Sequence, residues 1–178
     1  MTGGPRVRRA TAADRPALWA LNALPNVGET ADPSMPLDLP PVDGPGAFAD
    51  LADAPDGFDG FFVVEHDGRV VGMAGHRGGE VLRVRVHPAM RRRGVGRMLM
   101  DAVEADAAAQ GVHRLFLDTA TNQPEAVAFY EGLGYVRTGT ESRPEWSWTL
   151  VYFERTIASS TDTAGTTSPA SNDRGTSA

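Results

Sequence analysis

The sequence predicts one α/β domain built around a mixed β-sheet, and three observations support this fold class. Segments with the short or alternating apolar pattern of strands are interleaved with segments whose apolar residues recur at helical spacing. The length of 178 residues is that of a single domain of ordinary size. Hydrophobic residues make up 41% of the chain and charged residues 22%, as in typical globular proteins.

The first predicted elements are a strand over residues 7–10 and a helix. Thr11 and Asp14 match a capping box, and Pro16 suits the first turn of a helix that Pro25 ends. The apolar residues of this helix recur at helical spacing, at Leu18, Trp19, Leu21 and Leu24.

A long loop follows this helix. Residues 25–60 are rich in proline and in acidic residues, so most of this stretch is predicted to be loop, with a short helix over residues 47–52. Loops of this length inside a compact domain are usually functional or mobile.

A hairpin and a third strand come next. Strands are predicted over residues 61–66 and 69–76, joined by an Asp-Gly turn. The following strand, over residues 80–86, alternates in polarity. Its alternation places Leu82, Val84 and Val86 on one face and Val81, Arg83 and Arg85 on the other.

The second half of the domain alternates helices and strands. The order strand–helix–strand over residues 81–117 predicts a βαβ unit. The remaining predicted elements are a helix from residue 95 to Gly111, a strand over 115–117, a helix over 124–133 ended by Gly134, and strands around 135–139 and 146–155.

The last segment differs in composition from the rest. Residues 158–178 are mostly small and polar and contain no Leu, Ile, Val or aromatic residue. Such a segment buries too little apolar surface to offset the entropy lost on ordering. We therefore expect a folded domain over residues 2–157 and a disordered Ser/Thr/Ala-rich tail over residues 158–178.

Composition excludes several classes of protein. No apolar run approaches the ~18–20 residues of a membrane helix, and the N-terminal stretch lacks the apolar core of a secretory signal. The absence of cysteine excludes a disulfide framework, a zinc–thiolate site and a cysteine nucleophile. The four histidines lack the spacing of metal ligands. We therefore expect a cytoplasmic protein without a metal.

Charge is distributed unevenly along the chain. The formal net charge is −6, and all 17 basic residues are arginine. Ten acidic residues and no arginine lie between Pro16 and Gly68, whereas eight arginines and a single acid, Glu80, lie between Arg69 and Arg97. This distribution predicts one surface that binds an anion and a second that is strongly acidic, with ordinary solvated charge as the alternative.

The arginine-rich block contains the segment with the clearest chemistry, Arg91-Arg92-Arg93-Gly94-Val95-Gly96-Arg97, between a strand and a helix. Free N–H groups at a helix N-terminus bind anions, glycine lets a phosphate approach the backbone, and arginine adds charge-assisted hydrogen bonds. The segment predicts a site for a pyrophosphate-sized ligand; the alternative is a plain turn that glycine eases. The dinucleotide pattern G-x-G-x-x-G and the triphosphate pattern G-x-x-x-x-G-K-[ST] are both absent.

The Arg-x-x-Gly-x-Gly arrangement after a strand resembles the acetyl-CoA loop of the GNAT superfamily of N-acetyltransferases. A second run, Ala126-Val127-Ala128-Phe129-Tyr130-Glu131-Gly132-Leu133-Gly134-Tyr135, resembles the aromatic-Tyr-x-x-Leu-Gly-aromatic signature of that family. Both lie within residues 80–135, in the order and at the spacing of the family. The resemblance implies a GNAT-like, largely antiparallel sheet of six to seven strands with about four helices.

The resemblance also implies acetyl-CoA as cosubstrate. The backbone of the arginine–glycine segment would hold the pyrophosphate, the main chain of Val84 and Val86 would pair with the pantetheine arm, and Asn122 would hydrogen-bond that arm. A helix cap before Pro124 is the alternative role for Asn122. The implied cofactor-binding residues are Val84, Arg85, Val86, Arg91, Arg92, Arg93, Gly94, Val95, Gly96, Arg97 and Asn122, of which Arg91, Arg92 and Arg93 would also meet the 3′-phosphate.

The activity that the resemblance implies is acetyl transfer to a primary amine of a small molecule or peptide. Tyr130 is expected to be the general acid for the departing thiolate, because a phenol with a pKa of about 10 is protonated at neutral pH. An ordinary core tyrosine is the alternative. Glu80 is expected to take the amine proton through water, while a backbone N–H of the strand polarises the thioester carbonyl.

Expected partners follow from charge and from the resemblance. The acidic stretch over residues 28–59 is expected to line the acceptor side and to favour a cationic amine. A net charge of −6 and a pI near 5.2 argue against nucleic acid as a partner, and no membrane partner is expected. GNAT proteins are often dimers, which leaves a homodimer open. The alternative function is a non-catalytic acyl-CoA-binding module of the same fold.

Overall fold

The computed structural model describes residues 3–25 and 32–158. The predicted tail lies outside the described residues except for Ala158, and so does the part of the long loop at residues 26–31. None of the helices in the described part of the chain is long and apolar enough to cross a membrane.

Seven strands and three α-helices form the described domain. The strands are β1 (Arg6–Arg9), β2 (Gly60–His66), β3 (Arg69–Arg77), β4 (Glu80–Val86), β5 (Arg114–Ala120), β6 (Val136–Glu141) and β7 (Leu150–Thr156). The helices are α1 (Arg15–Ala23), α2 (Val95–Ala109) and α3 (Pro124–Gly132), and short 3-10 turns occur at Ala12–Asp14, Ala49–Leu51 and Pro88–Met90.

The strands form one sheet in the order β1-β2-β3-β4-β5-β7-β6. Neighbouring strands are antiparallel except for β4 and β5, which are parallel. The predicted mixed, largely antiparallel sheet is therefore confirmed, and β4, α2 and β5 form the predicted βαβ unit. The predicted short helix over residues 47–52 is a single 3-10 turn, and β7 begins later than predicted because residues 142–149 connect β6 to β7.

Two hydrophobic clusters cover the two faces of the sheet. On the face that we call the α2/α3 face, both helices pack on the central strands around the fully buried Leu99, Leu115 and Phe153. On the opposite face, the α1 face, Leu18 of α1 and Leu51 pack on β2 and β3. The sheet therefore separates two hydrophobic clusters, and β4 has side chains on both of its faces.

Strand β4 contains a β-bulge that overturns the predicted alternation of its side chains. Gly75 of β3 is opposite Leu82, whereas Met73 is opposite Arg85, so β4 contributes one extra residue. Arg83, at the bulge, has a left-handed φ of 56°. Because an extra residue reverses the alternation, the predicted faces are right for Val84 and Val86 but wrong for Val81, which precedes the bulge. The α2/α3 face receives Val81 together with Val84 and Val86.

Candidate active site

The central feature of the site is an opening between the parallel strands β4 and β5. Their register comprises Glu80 opposite Phe116 alone, next to a hydrogen bond from Phe116 N to Gly79 O of 3.0 Å. Beyond this junction the strands diverge. The opening, which we call the wedge, is closed at the Glu80 end and open at the Val86 end.

Backbone N–H groups of β4 face the wedge. His87 N donates to Val71 O of β3 at 2.8 Å, and Arg85 is in register with β3 as well. Successive N–H groups of a strand point to opposite edges, so those of Val86 and Val84 point away from β3. The wedge is therefore a sheet edge in the middle of a sheet, able to accept an extended ligand as an additional strand.

The arginine–glycine segment lies at the open end of the wedge and leads into α2. Gly94 is the N-cap of α2 with a left-handed φ of 81°, and Arg92 is also left-handed at 61°. The first turn of α2 contains no acidic residue, and Arg92, Arg93 and Arg97 are exposed. Unsatisfied N–H groups and three exposed guanidinium groups thus surround the positive end of the helix dipole. This arrangement suits a phosphate group.

Two glycines allow the start of α2 to approach its neighbours closely. A Cβ on Gly72 of β3 would lie 2.8 Å from Val95 Cγ1, and a Cβ on Gly96 would lie 3.0 Å from Phe129 Cζ of α3. Any larger residue at these positions would push the N-terminus of α2 away from the sheet or from α3. The predicted phosphate loop is therefore fixed against both.

His87 anchors the start of the loop and ties it to the long acidic segment. The side chain is fully buried, its Nδ1 accepts a hydrogen bond from Ala89 N at 3.1 Å, and its Nε2 lies 3.1 Å from Pro36 O. An acceptor at Nδ1 and a donor at Nε2 define a neutral imidazole. Burial lowers the pKa of His87, and the Arg91 charge lowers it further, against the hydrogen bond to Pro36.

We expect acid to destabilise the fold through His87. The folded-state pKa lies below the ordinary 6.5, so the unfolded chain binds more protons and the free energy of unfolding decreases as pH falls below about 6.5. Urea unfolding at pH 7.5 and 5.5 should show this decrease in wild type and in His113→Gln, and a smaller one in His87→Gln. Equal pH dependence in all three proteins would contradict the assignment.

Tyr130 lies in the aromatic part of the α2/α3 core. Its side chain is 7% exposed, and its ring centroid is 5.2 Å from that of Phe129 and 6.1 Å from that of Phe153. Burial raises the pKa of the Tyr130 phenol above its ordinary value, as does the Asp118 charge on β5, while Arg85 on β4 opposes both. The phenol is thus protonated and within the electrostatic reach of both strands of the wedge.

Glu80 approaches the wedge from its closed end. It is half-buried, and it lies on the α1 face because its neighbour Val81 lies on the other. Glu80 and Tyr130 therefore come from opposite faces of the sheet. Such an arrangement can supply an acid and a base to opposite sides of a reacting group.

Asn122 follows β5 at the open end of the wedge. Its Oδ1 is buried and has no hydrogen-bond partner in the described part of the chain. The N-cap of α3 is Gln123, and no side chain caps that helix, so the alternative role of Asn122 as a helix cap is wrong. A buried, unpartnered acceptor at this place fits an N–H donor of a ligand in the wedge.

The acidic segment is less uniformly acidic in the structure than its sequence suggests. Asp38 pairs with Arg69, Asp50 with Arg83 and Asp56 with Arg15. The two predicted charged surfaces therefore meet at Arg69 and Arg83, while Arg92, Arg93 and Arg97 stay exposed at the start of α2. Asp118 of β5, which sequence reasoning overlooked, is exposed and has no ion-pair partner within 4.0 Å among the described residues; partial desolvation by the surrounding sheet raises its pKa.

Sequence reasoning also overlooked Arg83 and a tryptophan pair. Arg83 binds both oxygens of Asp50 at 2.8 and 2.9 Å and covers the Phe48 ring at 4.2 Å, which fastens the acidic segment to the bulge. Trp146 and Trp148 stack at 4.3 Å in the β6–β7 connection, whose Thr149 O accepts from Thr121 N beside the wedge. Two tryptophans in one short connection were the only indication in the sequence that the β6–β7 connection borders the wedge.

Comparison with known proteins identifies the family. A sequence profile of the Acetyltransferase (GNAT) family matches residues 28–135, which include the wedge, the arginine–glycine segment and Tyr130. The chain belongs to the GNAT family.

A human relative matches part of this GNAT protein in sequence, and several solved structures share its fold at low sequence identity. Human N-acetyltransferase 8 is 30% identical over 97 residues, which span 49% of this chain and 43% of that protein. The ribosomal-protein-S18-alanine N-acetyltransferase of Escherichia coli superposes with a TM-score of 0.65 at 17% identity, covering 87% of this chain and 95% of the other. The putative acetyltransferase yncA of Salmonella typhimurium, solved with its cofactor acetyl-CoA, superposes with a TM-score of 0.62 at 20% identity, covering 88% of this chain and 95% of the other.

The spermidine/spermine N-acetyltransferase SpeG of Vibrio cholerae, solved with manganese ions, has a TM-score of 0.59 at 18% identity, covering 85% of this chain and 92% of the other. In the GNAT protein described here, residues 3–25 and 32–158 contain no group of three His, Asp or Glu side chains able to hold a metal ion. The GNAT fold predicted from the two sequence signatures is thus confirmed.

Proposed function

We propose that the protein transfers an acetyl group from acetyl-CoA to a primary amine of a small molecule or peptide, by direct attack of the amine on the thioester. The observation that carries the proposal is the wedge, where the free N–H groups of Val84 and Val86 lead directly to the arginine-rich N-terminus of α2. An extended arm ending in phosphates matches this order of groups. Family membership and the acetyl-CoA in the yncA structure support it.

The chain offers complementary groups to each part of acetyl-CoA, which supplies the acyl group and the thiol leaving group. The backbone N–H groups from Arg92 to Arg97 would hold the pyrophosphate, and Arg91, Arg92 and Arg93 would meet the 3′-phosphate. The main chain of Val84 and Val86 and the buried Oδ1 of Asn122 would bind the pantetheine arm.

Three groups would carry the chemistry. The Val84 N–H donates to the carbonyl oxygen as negative charge develops there, which is worth a few kcal/mol in comparable sites. As the amine nitrogen bonds to the carbonyl carbon and the carbon–sulfur bond breaks, Tyr130 gives its phenolic proton to the thiolate. Glu80 receives the proton of the amine through water. The products are an amide and free CoA.

The acceptor binds on the α1 face. The names of two structural neighbours, a ribosomal-protein alanine acetyltransferase and a spermidine/spermine acetyltransferase, both denote amine acceptors. Among the described residues on this face of the wedge, Glu80 and Asp118 have no ion-pair partner, in contrast to Asp38, Asp50 and Asp56 of the long segment. Their charge favours approach of a cationic amine.

The first test is binding and turnover. Calorimetry should show binding of acetyl-CoA, and the double variant Arg92→Ala/Arg93→Ala should bind it at least about tenfold more weakly, because charge-assisted hydrogen bonds contribute roughly 1.5–3 kcal/mol. Arg137→Ala, which removes an exposed guanidinium of β6, is the matched control with unchanged affinity.

Release of free thiol over a panel of amines then distinguishes an enzyme from a binding module. Amine-dependent release supports transfer, and binding of acetyl-CoA without release over the panel favours the acyl-CoA-binding module. Absence of both binding and release would overturn the proposal.

A further inference from the structure

Arg85 carries a charge that the described structure leaves poorly compensated. The residue lies on β4 next to Val84, and its half-buried side chain extends over the α1 face to the end of α1. Its guanidinium makes one hydrogen bond within residues 3–25 and 32–158, from Nη1 to Leu24 O at 3.4 Å. Five N–H donors on a guanidinium normally find more partners than this.

Arg83, two residues earlier on β4, is an arginine whose charge and hydrogen-bond donors are compensated by nearby residues. Its Nε and Nη2 each donate to an oxygen of Asp50, and its plane covers the Phe48 ring. Among the described residues, Arg85 instead has two cations, Arg83 and Arg91, as its charged neighbours. Burial, and after it the charges of Arg83 and Arg91, lower the pKa of Arg85 to about 10, so the side chain is still charged at neutral pH.

A desolvated cation without a counter-charge is costly, and an anionic ligand would relieve that cost. Two observations indicate that this anion belongs to the acceptor rather than to the coenzyme. The α2 N-terminus, where coenzyme phosphates would bind, belongs to the opposite face of the sheet. Arg85 shares the acceptor face with Glu80 and Asp118, and it lies one residue from the N–H group that would polarise the thioester.

We propose that Arg85 binds a carboxylate of the acceptor, in place of the coenzyme-binding role that the family resemblance implied for it, so that the acceptor is an amino-acid-like compound with its carboxylate a few bonds from the reacting amine. This inference rests on the proposed acetyl transfer and narrows its substrate class. A free amino acid or a conjugate that retains both groups satisfies it, whereas a polyamine or a peptide N-terminus does not. The ammonium group of such a zwitterion still meets the acidic groups of the wedge.

The test compares matched compounds that differ only in the carboxylate. Leucine, phenylalanine and glutamate are each assayed against the corresponding α-carboxamide and the α-decarboxylated amine, by release of free thiol and by calorimetry in the presence of CoA. We expect at least one acid to exceed its carboxamide about tenfold or more in kcat/KM, since a hydrogen-bonded charge pair is at stake.

The Arg85→Gln variant should reduce this ratio to near one, and Arg85→Lys should retain part of it. Arg137→Gln, again an exposed arginine of β6, should keep the wild-type ratio. Thermal unfolding verifies that Arg85→Gln is folded, and its stability should equal or exceed that of wild type because a desolvated charge is removed.

Failure of this inference is distinguishable from failure of the proposed function. The carboxylate role is overturned, with acetyl-CoA binding intact, by any of three results: wild type prefers carboxamides or polyamines, Arg85→Gln keeps the wild-type ratio, or wild type neither binds nor acetylates any acid of the panel. Acetyl transfer itself is then decided by the turnover of the amines. If acetyl-CoA produces no heat of binding, the proposed function itself fails.

Discussion

Replacing Tyr130 with phenylalanine is expected to lower kcat by roughly 10²–10⁴-fold, the range for loss of a positioned general acid. The change removes one hydroxyl from a side chain packed among Phe129, Tyr135 and Phe153, so the fold and the affinity for acetyl-CoA should remain close to wild type. Steady-state kinetics combined with calorimetry measures both quantities.

The matched control is Tyr152→Phe on β7, which loses a hydroxyl that donates to Glu141 on β6. Its kcat should stay within a few-fold of wild type. Because the pKa of Tyr130 lies above 10, kcat should show no alkaline decline caused by Tyr130 below about pH 10. A Tyr130→Phe enzyme with wild-type kcat would remove the phenol from the mechanism and leave it a core side chain.

Gly79→Ala should be the most destabilising substitution at the wedge. Gly79 has a φ of 89°, and a Cβ there would lie 2.7 Å from the backbone carbonyl oxygen of Arg114, which cannot rotate away. The left-handed conformation costs roughly 1–2 kcal/mol for alanine, and overpacking adds roughly 1–3 kcal/mol. Urea unfolding should therefore show a loss of about 2–5 kcal/mol.

The adjacent Gly78 is the control for this experiment. It is also left-handed, with a φ of 57°, but a Cβ there would meet nothing within 4 Å. Gly78→Ala should cost only the conformational part, about 1–2 kcal/mol. Equal losses in the two variants would show that contact with β5 does not decide the role of Gly79.

Local signals in the sequence were sufficient for the frame of this site. The strand Glu80–Val86 and the start of α2 follow from an alternating apolar run and from glycines that only a tight turn needs. The arginines between them identify an anion site without knowledge of the rest of the chain. These features depend on neighbours in sequence, which is why they could be predicted.

Features that depend on distant partners could not be predicted. Arg83 adopts a left-handed conformation that favours glycine, and its partner Asp50 lies 33 positions away. No residue near Arg83 or Asp50 in the sequence indicates the bulge. The predicted alternation of β4, which was continued through the bulge, was therefore wrong for the residues before it. That Arg85, unlike Arg83, has no carboxylate partner among residues 3–25 and 32–158 is equally invisible in sequence, where the two arginines look alike.

The wedge divides the sheet into two sub-sheets, β1–β4 and β5–β7. One residue pair joins them along the strands, and the cluster beneath α2 and α3 joins them across the α2/α3 face. A ligand lying along the exposed edge of β4 would therefore act as a strap between two half-domains. The two half-domains would then be held together more firmly when the substrate site is occupied. Any movement of one half-domain relative to the other would centre on Gly79.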